Sequence, residues 1–333
     1  MTLSIERKIS LDKLSETVTD YEYGYIPTKR PIGSLMEYGL VLIDKPPGPT
    51  SHEVVSWVKN ILNVSKAGHS GTLDPGATGL LPIGLGEATK ALSILLLGPK
   101  EYYALARIHE DRDINEIKAI ANTFVGDIYQ RPPQRSSVRR EVRTRTIYEI
   151  ELLEKNKNIV LLRILCQAGT YIRKLVYDIG EILGPGATMF ELRRTRVSNL
   201  CEKENTFVKL HDLVDGFEIF ENTKREEKLR KLIIPIEAIL GAIGTLVVKD
   251  STVDSICHGA PIAIPGISAI ERNLQIGELI GVFSLKGEII SIGELTMSSE
   301  NIRASNSGVA AVTKGLIMKP GTYPKGWKTK KIL

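Results

Sequence analysis

The texture of the chain changes at about Gly244, and this change limits what it can fold into. Beyond that point come only short β-rich runs: Thr245 to Lys249, Ala260 to Pro265, Glu278 to Leu285, Glu288 to Met297 and Val309 to Met318. Glycine and proline punctuate them densely, and strands spaced roughly 10 to 15 residues apart with turn signals between them predict a small barrel of about 80 residues. Upstream, short apolar runs alternate with helical patterns. Gly39 to Asp44 reads as a strand stopped by Lys45-Pro46-Pro47-Gly48-Pro49, after which Thr50 and Glu53 form a capping box for a helix reaching Ile61. Val64 to Ala77 reads as a polar, glycine-rich loop. A strand at Leu80 to Leu85, a helix from Glu87 to Leu97, a strand at Tyr102 to His109 and a helix at Ile114 to Thr123 follow. Next come strands at Arg145 to Leu153 and Ile159 to Cys166, a helix from Thr170 to Leu183 closed by Gly184, and a strand at Met189 to Val197. Residues 222 to 232 read as a charged helix. Residues 1 to 36, punctuated by Gly24, Pro27, Pro31 and Gly33, read as an extended arm. The fold class expected is α+β, a mixed, largely antiparallel sheet followed by a small β domain, and 333 residues are ample for two cores.

Several function classes fall away. The longest near-apolar run, Ala91 to Leu97, is far shorter than the roughly 20 residues of a membrane helix, and Glu6, Arg7 and Lys8 stand where a signal peptide needs apolar residues. A soluble, unexported chain is expected. Cys166, Cys201 and Cys257 are too few and too scattered for a disulfide framework or a metal knuckle, and the five histidines show no ligand spacing, so no metal is expected. Gly84-Leu85-Gly86 lacks the third glycine of a dinucleotide fingerprint, and no GxSxG elbow is present. The net charge is only +5, but its placement is uneven. Arg131, Arg135, Arg139, Arg140, Arg143 and Arg145 stand against the single acid Glu141, and six lysines with no acid fall between Val312 and Leu333. Such clusters suit a polyanion, nucleic acid above all; a plainly solvated surface is the competing reading.

The chemistry concentrates in Gly68-His69-Ser70-Gly71-Thr72-Leu73-Asp74-Pro75-Gly76-Ala77-Thr78-Gly79, one carboxylate in a loop whose glycines let backbone approach a ligand closely. Taken alone, the loop is equally a turn in which Asp74 caps its own backbone beside Pro75. In Gly169-Thr170-Tyr171-Ile172-Arg173 a tyrosine and an arginine leave one helix start in different directions. An arginine beside the aspartate would keep it ionised and oriented, and a structural ion pair would look the same.

Together these strings resemble the TruB and dyskerin family of pseudouridine synthases. Residues 38 to 61, 68 to 81, 100 to 109, 166 to 183 and 190 to 196 resemble, in order, five blocks of that family, and residues 244 to about 320, with His258-Gly-Ala-Pro-Ile-Ala-Ile-Pro-Gly266, are similar to a PUA RNA-binding domain. The resemblance implies a pseudouridine synthase fold, with an N-terminal extension at 1–36, a catalytic domain at 37–243, a PUA domain at 244–320 and a basic tail at 321–333. It implies Asp74 as the catalytic residue, Tyr102 stacked on the flipped uracil, Tyr171 at the C5 proton, Arg173 paired with Asp74, and Leu192 as apolar pocket wall. RNA contacts are expected from His69, Arg131, Arg135, Arg139, Arg140, His258, Lys325 and Lys328, and no cofactor is needed, because the isomerisation uses neither an electron sink nor a hydrolytic water.

Stand-alone TruB enzymes carry a long thumb insertion where this chain has only the arginine-rich run between Pro133 and Tyr148. The wording of residues 100 to 113 and the arm before residue 38 are similar to the archaeal dyskerin-type protein. That likeness implies the catalytic subunit of a guide-directed H/ACA ribonucleoprotein in the cytoplasm. Its expected partners are an H/ACA guide RNA, substrate rRNA or tRNA, and small accessory proteins of the Nop, Gar and kink-turn-binding ribosomal types. A stand-alone tRNA T-loop synthase and a non-catalytic RNA-binding scaffold are the alternatives.

Overall fold

The computed structural model describes residues 10–132, 139, 141–203 and 207–325. The chain opens with β1 (Leu11–Lys13), α1 (Ile32–Glu37), β2 (Gly39–Lys45) and α2 (Ser51–Ile61). The expected capping box is formed: the Thr50 hydroxyl accepts from the Glu53 N–H at 3.2 Å and the Glu53 carboxylate accepts from the Thr50 N–H at 2.7 Å. Val54, Val58 and Leu62 recur on one helical face and are all buried. Then come β3 (Ala67–His69), β4 (Thr78–Leu85), α3 (Leu92–Leu97), β5 (Lys100–Ile108), α4 (Ile114–Asn122), β6 (Gly126–Gln130), β7 (Arg143–Asn156) and β8 (Ile159–Cys166). They are followed by α5 (Ile172–Leu183), β9 (Ala187–Val197), β10 (Leu200–Cys201), α6 (Leu210–Thr223), α7 (Glu227–Leu232) and β11 (Ile234–Pro235).

These strands form one sheet in the order β11-β2-β4-β9-β5-β8-β7-β6, with β3 beside β4 and β10 beside β9. Every named pair in it is antiparallel except β4 with β9. The sheet is therefore mixed and largely antiparallel, as the pattern predicted. Its parallel junction is short, Thr78 opposite Arg193 and Gly79 opposite Arg194. Gly79 is required there: its φ is +95°, and a Cβ would stand 2.3 Å from the Arg194 carbonyl oxygen.

The rest of the chain, β12 (Gly244–Val248), α8 (Asp250–Cys257), β13 (Ile262–Ala263), β14 (Ile267–Glu271), β15 (Leu279–Phe283), β16 (Ile289–Leu295), α9 (Ser299–Ala304) and β17 (Val309–Leu316), builds a second sheet. Its order is β1-β14-β12-β15-β16-β17-β13. The arm supplies the edge strand: Leu11 pairs with Glu271 and Lys13 with Ala269. Leu40 and Ile236 from the first sheet and Phe283, Ile289, Ile292 and Ile317 from the second share one buried apolar cluster, so the two sheets meet through a dry core.

Several expectations need correction. The arm holds β1 and the short helix α1, and the glycine-rich loop holds β3. The helix expected at Glu87 to Leu97 divides into a 3-10 turn, Gly86–Ala91, and α3. The helix expected over 222 to 232 is broken at Lys224, whose φ of +57° is left-handed, so that α6 ends there and α7 begins afterwards. The second domain carries α8, α9 and β14 in addition to the expected strands.

Candidate active site

The Asp74 loop is suspended between β3 and β4 and fastened from beneath. The Ser51 hydroxyl accepts from the Leu73 N–H at 2.9 Å and donates to the Leu73 carbonyl at 3.1 Å. Lys45, fully buried at the end of β2, donates to the carbonyls of Pro46, Pro75 and Ala77, each at 3.0 Å. Burial pulls its ammonium below the usual lysine range, and the nearby Asp74 carboxylate opposes that fall. Arg194, 1% exposed, donates from Nε to the Leu80 carbonyl at 2.9 Å and from a terminal nitrogen to the Gly71 carbonyl at 3.1 Å. The loop's two flanks thus hang on two buried cations.

Above them the Asp74 carboxylate lies 3.8 Å from the Arg173 guanidinium, both side chains about 65% exposed. The loop itself is a turn, closed by the Ala77 N–H donating to the Asp74 main-chain carbonyl at 3.0 Å, while the Asp74 carboxylate faces Arg173. Tyr102, on β5 opposite Arg194, is partly buried against the core of the first sheet, as is Leu192 on β9. Burial raises the Tyr102 phenol above its ordinary value, and Arg194 reaches its hydroxyl. Tyr171 is the N-cap residue of α5, two positions before Arg173. Its backbone is held by Gln130, 2% exposed, whose amide accepts from the Tyr171 N–H at 2.9 Å and donates to the Tyr171 carbonyl at 3.1 Å.

The RNA-contact expectations divide. His69 sits in β3 beside the loop, its ring edge-on to His52 at 5.0 Å between centroids, and burial followed by the His52 neighbour lowers its pKa. Arg131 and Arg139 are exposed, whereas Arg135, Arg140 and Lys328 lie outside the described residues. Lys325 is exposed, and His258 caps the end of α8 with its Nδ1 2.8 Å from the Asp254 carbonyl. His258 follows α8 and Lys325 lies beyond β17, both on the C-terminal side of the chain. Among the described residues, no group of three or more His, Cys, Asp or Glu side chains is placed to hold a metal ion, and no helix is long and apolar enough to cross a membrane.

Sequence reasoning missed Lys45, Gln130 and Arg194. A signal existed for Arg194: it follows Leu192 by two positions on β9, the period that puts both on one face of a strand. For Lys45 and Gln130 the contacts are too distant in sequence to leave a local trace.

Family models match nearly the whole chain. Residues 59–172 match the TruB family pseudouridylate synthase N-terminal domain, 173–241 the tRNA pseudouridylate synthase B C-terminal domain, 2–55 the DKCLD (NUC011) domain and 244–317 the PUA domain. A probable tRNA pseudouridine synthase B of Methanosarcina barkeri is 46% identical over 328 residues, 98% of this chain and 96% of its own. One from Methanocaldococcus jannaschii is 46% identical over 327 residues, 98% of this chain and 97% of its own. Among solved structures, that of an H/ACA RNP bound to a substrate RNA containing 2'-deoxyuridine matches with a TM-score of 0.91 and 40% identity over 98% of this chain and 100% of its own. A Cbf5-Nop10-Gar1 complex matches with a TM-score of 0.90 and 42% identity over 96% of this chain and 98% of its own. The chain is an RNA-modifying isomerase of the pseudouridine synthase class, with a PUA domain at its C-terminal side. Within that class it belongs to the TruB family.

Proposed function

We propose that the chain converts uridine to pseudouridine in rRNA, and in tRNA, as the catalytic subunit of a guide-RNA-directed H/ACA particle. In this reading Asp74 engages the target nucleotide, and the observation that carries the reading is its placement: an exposed carboxylate on a loop fixed by Lys45 and Arg194, within 3.8 Å of Arg173. The Arg173 guanidinium faces the carboxylate and aims it. Uridine's N1–C1′ bond breaks and a C5–C1′ bond forms, with the C5 proton lost and N1 protonated. Tyr102 gives the extruded uracil a face to stack on, Tyr171 lies where the C5 proton leaves, and Leu192 walls the pocket. His69, Arg131, Arg139, His258 and Lys325 contact RNA, the last two on the PUA side, where the guide is held.

The guide-directed form is supported by the full-length likeness to the subunit in the H/ACA RNP and Cbf5-Nop10-Gar1 structures. Proteins of the Nop10, Gar1 and kink-turn-binding types complete the particle. The curated relatives are named as tRNA synthases, which favours a second reading in which tRNA is modified without a guide. Mass mapping of pseudouridine decides between them. With guide and accessory proteins, product is expected at the guide-selected uridine of an rRNA fragment, and Asp74→Ala abolishes it while guide binding survives. Equal product on tRNA with and without a guide favours the second reading, and product from Asp74→Ala overturns the assignment of the site.

A further inference from the structure

Two segments far apart in sequence are zipped together beside the candidate site by paired amide contacts. At the end of β6, the buried Gln130 side chain makes both hydrogen bonds that a neighbouring strand would make to Tyr171, accepting from its N–H and donating to its carbonyl. Three residue pairs along the β6–β7 ladder, Gln167 answers in the other direction. Its side-chain oxygen accepts from the Thr146 N–H of β7 at 3.1 Å, and its own N–H donates to the Thr146 carbonyl at 2.8 Å. Between the two lies Gly169, with a φ of +79° and the Arg145 guanidinium packed on the face where a side chain would stand. The 167–171 segment therefore takes its shape from the β6–β7 hairpin.

The start of α5 depends on this arrangement. Tyr171 is its N-cap, and no side-chain oxygen of the cap satisfies the first turn. The Tyr171 carbonyl already accepts the first helical bond, from the Leu175 N–H at 3.0 Å, and Gln130 supplies its second partner. Fixing φ and ψ at the cap sets the direction of the Tyr171 side chain and the entry angle of α5, and with it the position of Arg173.

We propose that Gln130 is a positioning residue for the isomerisation: by clamping the Tyr171 backbone it holds the tyrosine and Arg173 in register with Asp74. This rests on the roles proposed above for Tyr171 and Arg173. Gln130 is buried, and its amide is taken up by the Tyr171 backbone. Its contribution belongs to the chemical step, where a displacement of about 1 Å costs on the order of 100-fold in rate.

Full-length Gln130→Met and Gln130→Glu, assembled with guide RNA and accessory proteins, test the clamp alongside Tyr171→Leu. Methionine keeps the volume and loses both bonds, whereas glutamate at neutral pH keeps the acceptor for the N–H and loses the donor to the carbonyl. Single-turnover rates should fall on the order of 10- to 100-fold for methionine and less for glutamate, with substrate-RNA affinity within about twofold of the wild type. A methionine variant with wild-type turnover, or one whose loss lies wholly in affinity, overturns the proposal. If methionine prevents folding, glutamate decides alone: slower turnover at unchanged affinity supports the clamp, and wild-type turnover overturns it. Tyr171→Leu separates the two levels. Activity in that variant removes the role of Tyr171 and the clamp's purpose with it. An inactive Tyr171→Leu beside a fully active Gln130→Met refutes only the clamp.

Discussion

Three buried cations in one half of the molecule and two buried carboxylates in the other are satisfied by opposite kinds of partner. In the first sheet's half Lys45, Lys100 and Arg194 are buried with carbonyl oxygens around them, while the buried Glu101 accepts from the Thr195 hydroxyl and pairs with Arg163. Lys100 donates to the carbonyls of Leu95, Leu96 and Gly98 at the end of α3. In the seam between arm and second sheet the buried groups are carboxylates. Asp250 accepts from the Thr19 hydroxyl and the Asp20 N–H, and Glu288 accepts from the Tyr25 N–H and the Tyr323 hydroxyl. Carbonyl dipoles satisfy a cation's donors without cancelling its charge, so Lys45 and Arg194 keep theirs beneath the Asp74 loop. The seam uses the same rule with the sign reversed, to fasten a strap.

Arg173→Lys sets the scale at the exposed end of the contrast and should show the largest effect. A lysine keeps the charge but not the planar fork, and a loss of 10-fold or more in single-turnover rate is expected, on the order of the cost of misplacing a reacting group. Near wild-type turnover would make the 3.8 Å pairing incidental. Lys45→Met leaves three inward carbonyls without their donor and should lower unfolding free energy by about 3 kcal/mol in urea titration. A loss below about 1 kcal/mol would mean the loop is held by packing alone.

Opposite slopes with pH follow from the two kinds of burial. Lys100 is pulled by burial down to about 8, so between about 8 and the ordinary lysine value of 10.5 the unfolded chain binds more protons than the folded one. Wild-type stability relative to Lys100→Met should therefore rise with pH across that window. Burial raises the Glu288 carboxyl above its ordinary 4.5, so its contribution is greatest below that value and is lost as pH rises through the raised one. Glu288→Gln should lose stability relative to wild type at low pH and recover as pH rises. Parallel slopes for the two variants would erase the contrast. The smallest effect belongs to His69, whose lowered pKa makes stability fall as pH drops below about 6.5, and His69→Asn should flatten that slope in thermal melts.

Much of this was legible in the sequence because much of it is local. The Thr50 and Glu53 box, the strand and helix pattern from Gly39 to Val197 and the glycine-rich Asp74 loop all announce themselves within a few residues. α6 was not legible: Gly216 and the β-branched or aromatic Val214, Phe217, Ile219 and Phe220 weaken its helical signal, yet a Cβ on Gly216 would come within 2.7 Å of Leu232, so the glycine is what lets α7 pack close. α8 is rich in Ser, Thr and Asp, which read as turn. Five candidate residues came from family-like strings, whereas the groups supporting them did not. Lys45 acts across 32 residues and Gln130 across 41, and no window along the chain spans either.

The pairing of Leu11 with Glu271 has a consequence for biosynthesis. The two residues are separated by 260 positions, so at roughly 5 to 20 residues per second a nascent chain exposes the strand about 13 to 50 s before its partner leaves the ribosome. During that interval the segment is an unsatisfied edge. It is three residues long and carries Asp12 and Lys13, too short and too charged to recruit another chain in the meantime. The strand thus waits through the synthesis of some 260 following residues before it can dock, and the second sheet gains its β1 edge only once β14 exists.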